Sequence, residues 1–132
     1  MRRNAPSPAP ACPCGLAAPL AACCGRYLDG TTPAPTAEAL MRSRYTAFAL
    51  GREDYLLATW HASTRPVRLG LADDAPAKWI GLTVLDHQVL DERTATVSFV
   101  ARYKVGGRAQ RLHEVSRFVK EDGRWYYVAA IG

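Results

Sequence analysis

The chain has 132 residues, a length that suits a single domain and is too short for several independent cores. Its 17 basic residues exceed its 12 acidic ones, but they are spread along the chain without a dense run or a recognition motif, so we expect no nucleic-acid partner. No apolar stretch approaches the roughly 18 residues of a membrane span, and the N-terminus lacks the apolar segment of a secretion signal, which excludes a membrane protein and favours the cytoplasm.

Residues 1–11 are rich in proline and alanine and predict a disordered leader. All four cysteines of the chain then fall within a short window, at Cys12, Cys14, Cys23 and Cys24. Four thiolates gathered locally are the ligand set of a closed tetrahedral zinc site. Four cysteines also allow three disulfide pairings, but a bridge across a Cys-x-Cys or Cys-Cys step would be strained. We favour a structural Zn²⁺ over disulfides, with free reduced thiols as a third alternative.

The spacing of these cysteines, together with Pro13 and Gly15, resembles the SEC-C zinc motif, which is known from the C-terminal tail of the SecA translocation ATPase. The resemblance implies a zinc module over residues 12–30, with the four cysteines at its ligand positions. Residues 16–20 depart from the motif, because they read Leu-Ala-Ala-Pro-Leu where the family commonly has Ser-Gly-Lys and an aromatic residue. By analogy with SecA, the resemblance implies a protein partner in the export or ribosome machinery.

Two helices are predicted after a turn-rich connector at residues 29–35. Thr36 offers an N-cap for a helix over 37–50, which ends at Gly51. Apolar residues at helical spacing predict one buried stripe on this helix, formed by Leu40, Met41, Tyr45 and Phe48. A second, shorter helix is predicted from Glu53 to about His61, with its inward side formed by Tyr55, Leu56 and Trp60.

The second half of the chain has the two-residue periodicity of β-strands. Strands are predicted around Ile80 to Val84, from Thr94 to Val105, from Arg108 to Lys120 and from Trp125 to Ile131. Gly106-Gly107 and Asp122-Gly123 predict hairpin turns between the later strands. Helices followed by an antiparallel meander indicate an α+β fold.

Four segments extend the family resemblance beyond the zinc motif. They read P-T-A-E-A-L-M-R-S-R-Y at 35–45, Y-L-L-A-T-W-H-A-S-T-R-P at 55–66, R-L-H-E-V-S-R-F-V at 111–119 and G-R-W-Y-Y-V at 123–128. This combination resembles the YchJ family of bacterial proteins. The resemblance implies that residues 31–132 form a domain similar to nuclear transport factor 2 (NTF2) and SnoaL, a cone of two or three helices packed on a curved antiparallel sheet around a cavity. It implies little about activity, because that fold hosts isomerases, hydratases, binding modules and scaffolds alike.

A cavity of this kind is the default site for a small ligand, and its walls are expected to combine aromatic and polar side chains. The candidates are Arg42, Tyr45, Tyr55, Trp60, His61, Trp79, His113, Glu114 and Arg117. The aromatic residues among them fit the core and rim of a cone better than a platform for stacking bases.

His61 is a candidate general acid or base, because an imidazole titrates near neutral pH. It also follows a predicted helix end, where the helix dipole favours a cation. We favour this capping role, because no activating carboxylate is evident beside His61 in the sequence.

Glu114 is the second candidate. It shares one face of its strand with core-like residues such as Phe118, whereas the adjacent His113 points to the other face, so Glu114 and His113 cannot form a dyad. A buried carboxylate needs a partner, for which Arg42 or Arg44 is available. We favour an ion pair between helix and sheet over a catalytic role.

Together these patterns favour a binding or adaptor protein. The zinc module would dock a macromolecular partner, and the cone would accept a small ligand or a peptide. The alternative is a small-molecule enzyme of the isomerase, hydratase or hydrolase type, with His61 or Glu114 as acid or base. No nucleophile motif or phosphate-binding loop supports a more specific reaction, and the sequence leaves the ligand and the oligomeric state open.

Overall fold

The computed structural model describes residues 11–71 and 77–132. The predicted leader, apart from its last residue, lies outside the described residues. Helical elements precede the strands, as the sequence predicts. They are a 3₁₀ turn at Leu20–Ala22, helices α1 (Gly25–Leu28), α2 (Ala37–Leu50) and α3 (Glu53–Ala58), and strands β1 (Lys78–Val89), β2 (Thr94–Val105), β3 (Arg108–Glu121) and β4 (Arg124–Ala130).

Helix α2 begins and ends where its capping residues predict. The side chain of Thr36 accepts a hydrogen bond from the backbone N–H of Ala39 at 3.0 Å, which satisfies one of the free donors of the first turn. At the other end Gly51 has φ 73°, a left-handed conformation that closes the helix.

The burial of α2 extends beyond the predicted stripe. Ser43, Arg44 and Thr46 are also buried, with 0%, 5% and 0% of their surface exposed. The expectation of a single stripe is wrong because α2 packs on more than one side: Arg44 faces the sheet, Ser43 faces Tyr55 of α3, and Thr46 faces the cysteine module. The Sγ of Cys12 lies 3.6 Å from Oγ1 of Thr46.

Helix α3 ends at Ala58, earlier than the predicted end near His61. The chain leaves the helix there to pair with β4. The backbone N–H of Tyr127 donates to the carbonyl of Thr59 at 2.9 Å, and the N–H of His61 donates to the carbonyl of Tyr127 at 2.7 Å. Tertiary hydrogen bonds to the sheet therefore replace the last predicted turn of helix.

The strands form an antiparallel meander in the order β1-β2-β3-β4. The two predicted hairpin turns have the twist that matches their strands, because both central residues of each turn have positive φ. These residues are Gly106 and Gly107 in the first turn and Asp122 and Gly123 in the second. Register shifts mark bulges at Ile80 and Leu85 of β1 and at Val128 of β4, where the residue has no partner on the next strand, and such bulges bend a sheet. The sheet therefore curves around α2.

The inner face of the sheet supplies much of the core. Val97, Phe99 and Ala101 of β2 are buried together with Leu82 of β1 and Phe118 of β3. These residues alternate with outward-facing ones, as the two-residue periodicity predicts.

Replacing Thr36 by alanine should lower the free energy of unfolding by about 1 kcal/mol, because the N–H of Ala39 loses its side-chain acceptor. Urea unfolding followed by circular dichroism measures this change. Thr32→Ala is the matched control, since Thr32 is an exposed threonine in the preceding connector and should be nearly neutral. Equal effects of the two substitutions would show that the cap does not stabilise α2.

Candidate functional site

The structure gathers the four cysteines into one buried cluster. Their Sγ atoms all lie within 4.8 Å of one another, and those of Cys14 and Cys23 are 3.6 Å apart. All four are free thiols, and at most 5% of any of them is exposed. Buried thiols at this spacing are a donor set that fits a thiophilic metal ion.

Local turns bring the two cysteine pairs together. The N–H of Gly15 donates to the carbonyl of Cys12, which turns the chain after the first pair. The N–H of Cys23 donates to the carbonyl of Leu20. The 3₁₀ turn therefore directs Cys23 and Cys24 towards Cys12 and Cys14. Gly25, which follows the second pair, packs against the backbone of Leu20. A Cβ at position 25 would lie only 2.7 Å from the carbonyl oxygen of Leu20.

The electrostatics of the cluster favour a cation. The hydrogen bond with Cys24, opposed by burial, lowers the pKa of Cys14 to about 5. Burial and the hydrogen bond with Cys14 raise the pKa of Cys23 to about 11, and the hydrogen bond with Cys14, together with burial, also raises the pKa of Cys24. One thiolate therefore sits among protonated neighbours, and a metal ion that ligates all four sulfurs would displace the remaining protons.

The module around the cluster is attached to the rest of the protein by two arginines. Arg42 of α2 donates from Nη1 to the carbonyl of Cys14 at 2.9 Å, and Arg52 donates from Nη2 to the carbonyl of Leu28 at 3.0 Å. The cysteines also belong to the same buried cluster as α2 and the sheet. The predicted division between residues 30 and 31 remains a prediction, but the two sides pack on one another.

The inner face of the sheet and α2 enclose a cavity of about 170 Å³. Its walls are largely aromatic and come from both layers of the fold: Tyr45, Phe48, Trp60, Trp79, Phe99 and Tyr127. Several of these rings pack edge to face or tilted against one another, with centroids 5.0 to 5.8 Å apart.

Arg44 is the cation of this cavity. Its Nη1 donates to the carbonyl of Leu56 at 2.8 Å and to Oγ1 of Thr59 at 2.7 Å, and its guanidinium lies 5.1 Å from the ring centre of Trp60 and 4.5 Å from that of Tyr127. Burial lowers the pKa of Arg44 to about 10, so the side chain stays charged at neutral pH. Among the described residues no carboxylate lies within ion-pair distance of it.

Glu114 is the carboxylate of the same cavity. It lies on the inner face of β3, as its strand position predicts, and its Oε2 accepts a hydrogen bond from the hydroxyl of Ser116 at 2.8 Å. Arg44 and Glu114 face one space and influence each other electrostatically without forming a contact ion pair. The expected ion pair between Glu114 and Arg42 or Arg44 is therefore not formed.

The predicted pocket residues divide into two groups. Tyr45, Trp60, Trp79 and Glu114 line the cavity. The other candidates, Arg42, Tyr55, His61, His113 and Arg117, do not.

Each of the residues outside the cavity has a different role. Arg42 bonds Glu38 and the cysteine module, and Tyr55 lies on the other side of α2, where its hydroxyl is 2.7 Å from that of Ser43. Arg117, like His113, is on the outer face of β3, because it pairs with Thr96 on the outer side of β2. Arg42 and Tyr55 lie in the predicted helices but on another side than predicted, whereas His113 lies on the face of β3 opposite Glu114, as predicted.

His61 neither caps α3 nor lines the cavity. Its Nε2 lies 2.8 Å from Oε2 of Glu121, and its Nδ1 lies 2.6 Å from the hydroxyl of Ser63. This order of groups resembles a catalytic triad, but Nδ1 also accepts from the backbone N–H of Ser63 at 3.1 Å. The imidazole therefore links the segment after α3 to the end of β3 through hydrogen bonds. It does not cap α3, contrary to the prediction.

Several lining residues were not among the pocket candidates, and Arg44 is the charged one. It lies four residues after Leu40 and four before Phe48, so helical periodicity places it on the inward side of α2. A charged residue on the apolar face of a predicted helix could have indicated a polar group inside the cavity.

The family model for the YchJ middle NTF2-like domain matches residues 36–130. This chain belongs to the YchJ family. It is 64% identical over 125 residues to a UPF0225 protein of Chromobacterium violaceum, covering 92% of each chain. It is 57% identical over 129 residues to a UPF0225 protein of Polaromonas naphthalenivorans, covering 89% of this chain and 93% of that one.

Two solved structures share the fold. The solution structure of a SEC-C motif containing protein from Rhodopseudomonas palustris superposes with a TM-score of 0.84 at 36% identity, over 92% of this chain and 98% of that chain. The crystal structure of a SEC-C motif containing protein from Psychrobacter arcticus gives a TM-score of 0.77 at 31% identity, over 90% and 80% of the two chains. These YchJ-family and SEC-C likenesses confirm the predicted family and α+β fold. Within residues 11–71 and 77–132, no helix is long and apolar enough to cross a membrane.

Replacing Cys14 by serine should lower the free energy of unfolding of the whole chain by about 2 kcal/mol or more, because the substitution removes one of four clustered thiols from a fully buried site against α2. Thermal unfolding measures the loss. Ala17→Ser adds the same hydroxyl at an exposed position of the same loop and should have little effect. An unchanged melting temperature for Cys14→Ser would contradict a structural role for the cluster.

Proposed function

We propose that this protein is a zinc-stabilised binding protein of the cytoplasm, whose cavity holds a small ligand and whose zinc module docks a macromolecular partner. The observation that carries the proposal is the cavity itself, which is aromatic, partly enclosed and supplied with one buried cation and one carboxylate. Four free thiols are consistent with a reducing compartment.

Zinc is the metal that the cluster fits best. Zn–S bonds of about 2.3 Å in a tetrahedron place the sulfurs about 3.8 Å apart. The 3.6 Å separation of Cys14 and Cys23 is close to this value, and the other pairs need only small movements. Four protein ligands leave no open position for a catalytic water, so the role of the zinc is structural.

Native mass spectrometry of protein purified under reducing conditions, with elemental analysis, should find one zinc ion per chain. Cys24→Ser should lose most of that zinc, whereas Ala17→Ser should retain it. A zinc-free native protein in which all four thiols react with an alkylating reagent would refute the zinc site.

The size of the cavity limits the ligand. Its volume of about 170 Å³ is close to the roughly 150 Å³ of an engineered apolar cavity that binds benzene, and it is smaller than the roughly 300 to 1,000 Å³ of sites for drug-sized molecules. The ligand is therefore about the size of one ring or one short side chain.

The polar groups of the cavity specify the ligand further. All hydrogen bonds of Arg44 to the described residues leave from Nη1, so its other N–H groups can donate to an acceptor on the ligand. The Oε1 of Glu114 can accept from a ligand donor, because Ser116 occupies Oε2. A small apolar body that carries both an acceptor and a donor, such as a carboxamide, satisfies these groups together.

Benzamide is a suitable probe, and it should shift the indole N–H signals of Trp60 and Trp79 in NMR spectra. Ala101→Leu, which adds three carbons to the cavity wall, should abolish these shifts. Ala109→Leu is the control, because Ala109 is exposed at the start of β3. Shifts that persist in Ala101→Leu, or an absence of shifts in the wild type, would contradict a ligand site in this cavity.

The second candidate function is enzymatic activity, which the position of Glu114 in the cavity wall favours. Its carboxylate faces an apolar cavity, where a general acid or base of an isomerase or hydratase would lie. If turnover of small carbonyl compounds is found, Glu114→Gln should reduce it by about a hundredfold or more, whereas His61→Gln should not. An absence of turnover, or turnover insensitive to Glu114→Gln, would leave binding as the function.

The proposed partner of the zinc module rests on the SEC-C likeness and on an exposed loop. Gly15, Leu16 and Ala17 are exposed beside the buried cysteines, and Leu16 exposes 45% of its surface. A photo-crosslinker at position 17 should capture components of the export or ribosome machinery in cells, and Cys24→Ser should abolish the capture.

A further inference from the structure

The outer face of the sheet carries an unusual concentration of positive charge. Because Val97, Phe99 and Ala101 of β2 point into the core, the alternate residues Arg102 and Lys104 point away from it. Residues that pair with these outward positions share their face.

The register of the sheet places like charges directly opposite one another. Lys78 of β1 pairs with Lys104 of β2, and Arg102 of β2 pairs with Arg111 of β3. Like charges in directly opposed positions destabilise a sheet. Folding therefore does not account for these two pairs.

We call the outward surface with these cations the basic face. It consists of Lys78, Arg102, Lys104, Arg111 and Arg117. All five are exposed, and none of them forms an ion pair with another described residue.

The outward positions of β1, β2 and β3 that pair with one another hold a single carboxylate, Asp86. It lies opposite Ser98 and accepts from the amide of Gln88 at 2.8 Å.

The chemistry of the face selects among polyanions. In the β1–β2 and β2–β3 pairs of the described chain, no outward position holds Phe, Tyr or Trp. These strands therefore offer no ring of those types on which unpaired bases could stack. Ile80, exposed by 45% at the bulge after Lys78, and Val115, half-buried on the outward side of β3 between His113 and Arg117, offer apolar contacts that a phosphate backbone would not use. A second copy of this chain would bring like charges together.

We propose that the basic face docks an acidic segment of a partner protein, in which carboxylates are interspersed with apolar side chains. Arg102 and Arg111 bind the carboxylates, since planar guanidinium groups pair with carboxylates through two parallel hydrogen bonds. Arg102 already extends over β1, where its Nη1 donates to Oγ1 of Thr83 at 3.1 Å, so it and Arg111 present two separated cations. This surface is distinct from the zinc module and from the cavity, and the proposal does not depend on either.

Fluorescence anisotropy tests the proposal with the full chain and a fluorescein-labelled peptide of Glu-Glu-Leu repeats, at about 150 mM salt where long-range attraction is screened. Arg111→Glu should weaken binding by about tenfold or more. Arg93→Glu changes the charge equally at an exposed position in the turn between β1 and β2, outside the basic face, and should change the affinity by less than about twofold. Thermal unfolding confirms that both variants are folded.

A single-stranded oligouridine with the same number of charges is the competing probe. It should bind at least about tenfold more weakly than the peptide, because the face lacks stacking groups. Equal or tighter binding of the oligouridine would overturn the proposal in favour of a nucleic-acid site. Failure of the peptide to bind, or equal losses in Arg111→Glu and Arg93→Glu, would overturn it as well.

Discussion

The packing of α2 between two different surfaces is the constraint on which the rest of the structure depends. One side of the helix faces the curved sheet, and the other faces the cysteine module, where Cys12 meets Thr46. A helix buried on both sides cannot carry a conventional polar face, so Ser43 and Arg44 must satisfy their hydrogen bonds internally. Ser43 does so with Tyr55 and with the carbonyl of Leu40, and Arg44 does so with α3.

This packing also explains how a small metal module can matter for the larger fold. Four buried cysteines without a metal would leave polar or charged sulfur crowded against α2. A metal bound there would neutralise that charge and fix the loop whose Cys14 carbonyl accepts from Arg42. The cysteine cluster and the cavity are linked through one helix, because α2 contacts both.

The two faces of the sheet separate two kinds of interaction. The inner face holds aromatic rings and a half-buried carboxylate, Glu114, which faces the cavity and bonds Ser116. The outer face holds the exposed cations and few apolar groups. The alternation of side chains along each strand makes this separation possible, since neighbours such as His113 and Glu114 serve opposite surfaces.

Local chemistry was sufficient to predict α2 and the later strands of this protein. The cap at Thr36, the turns at 106–107 and 122–123 and the two-residue periodicity of β2 and β3 act within a few residues of sequence, and the structure shows each where it was predicted. The same is true of the side of β3 on which Glu114 lies, because strand periodicity alone decides it.

Interactions between distant residues decided the rest. We predicted Arg42, Tyr55 and His61 near a pocket, but they bond Cys14, Ser43 and Glu121, which lie 28, 12 and 60 positions away in the chain. The basic face was also invisible in the sequence, where Lys78, Lys104 and Arg111 are far apart. Only the register of three strands places these charges opposite one another, because pairing between strands is set by the fold and not by the neighbours of any one residue.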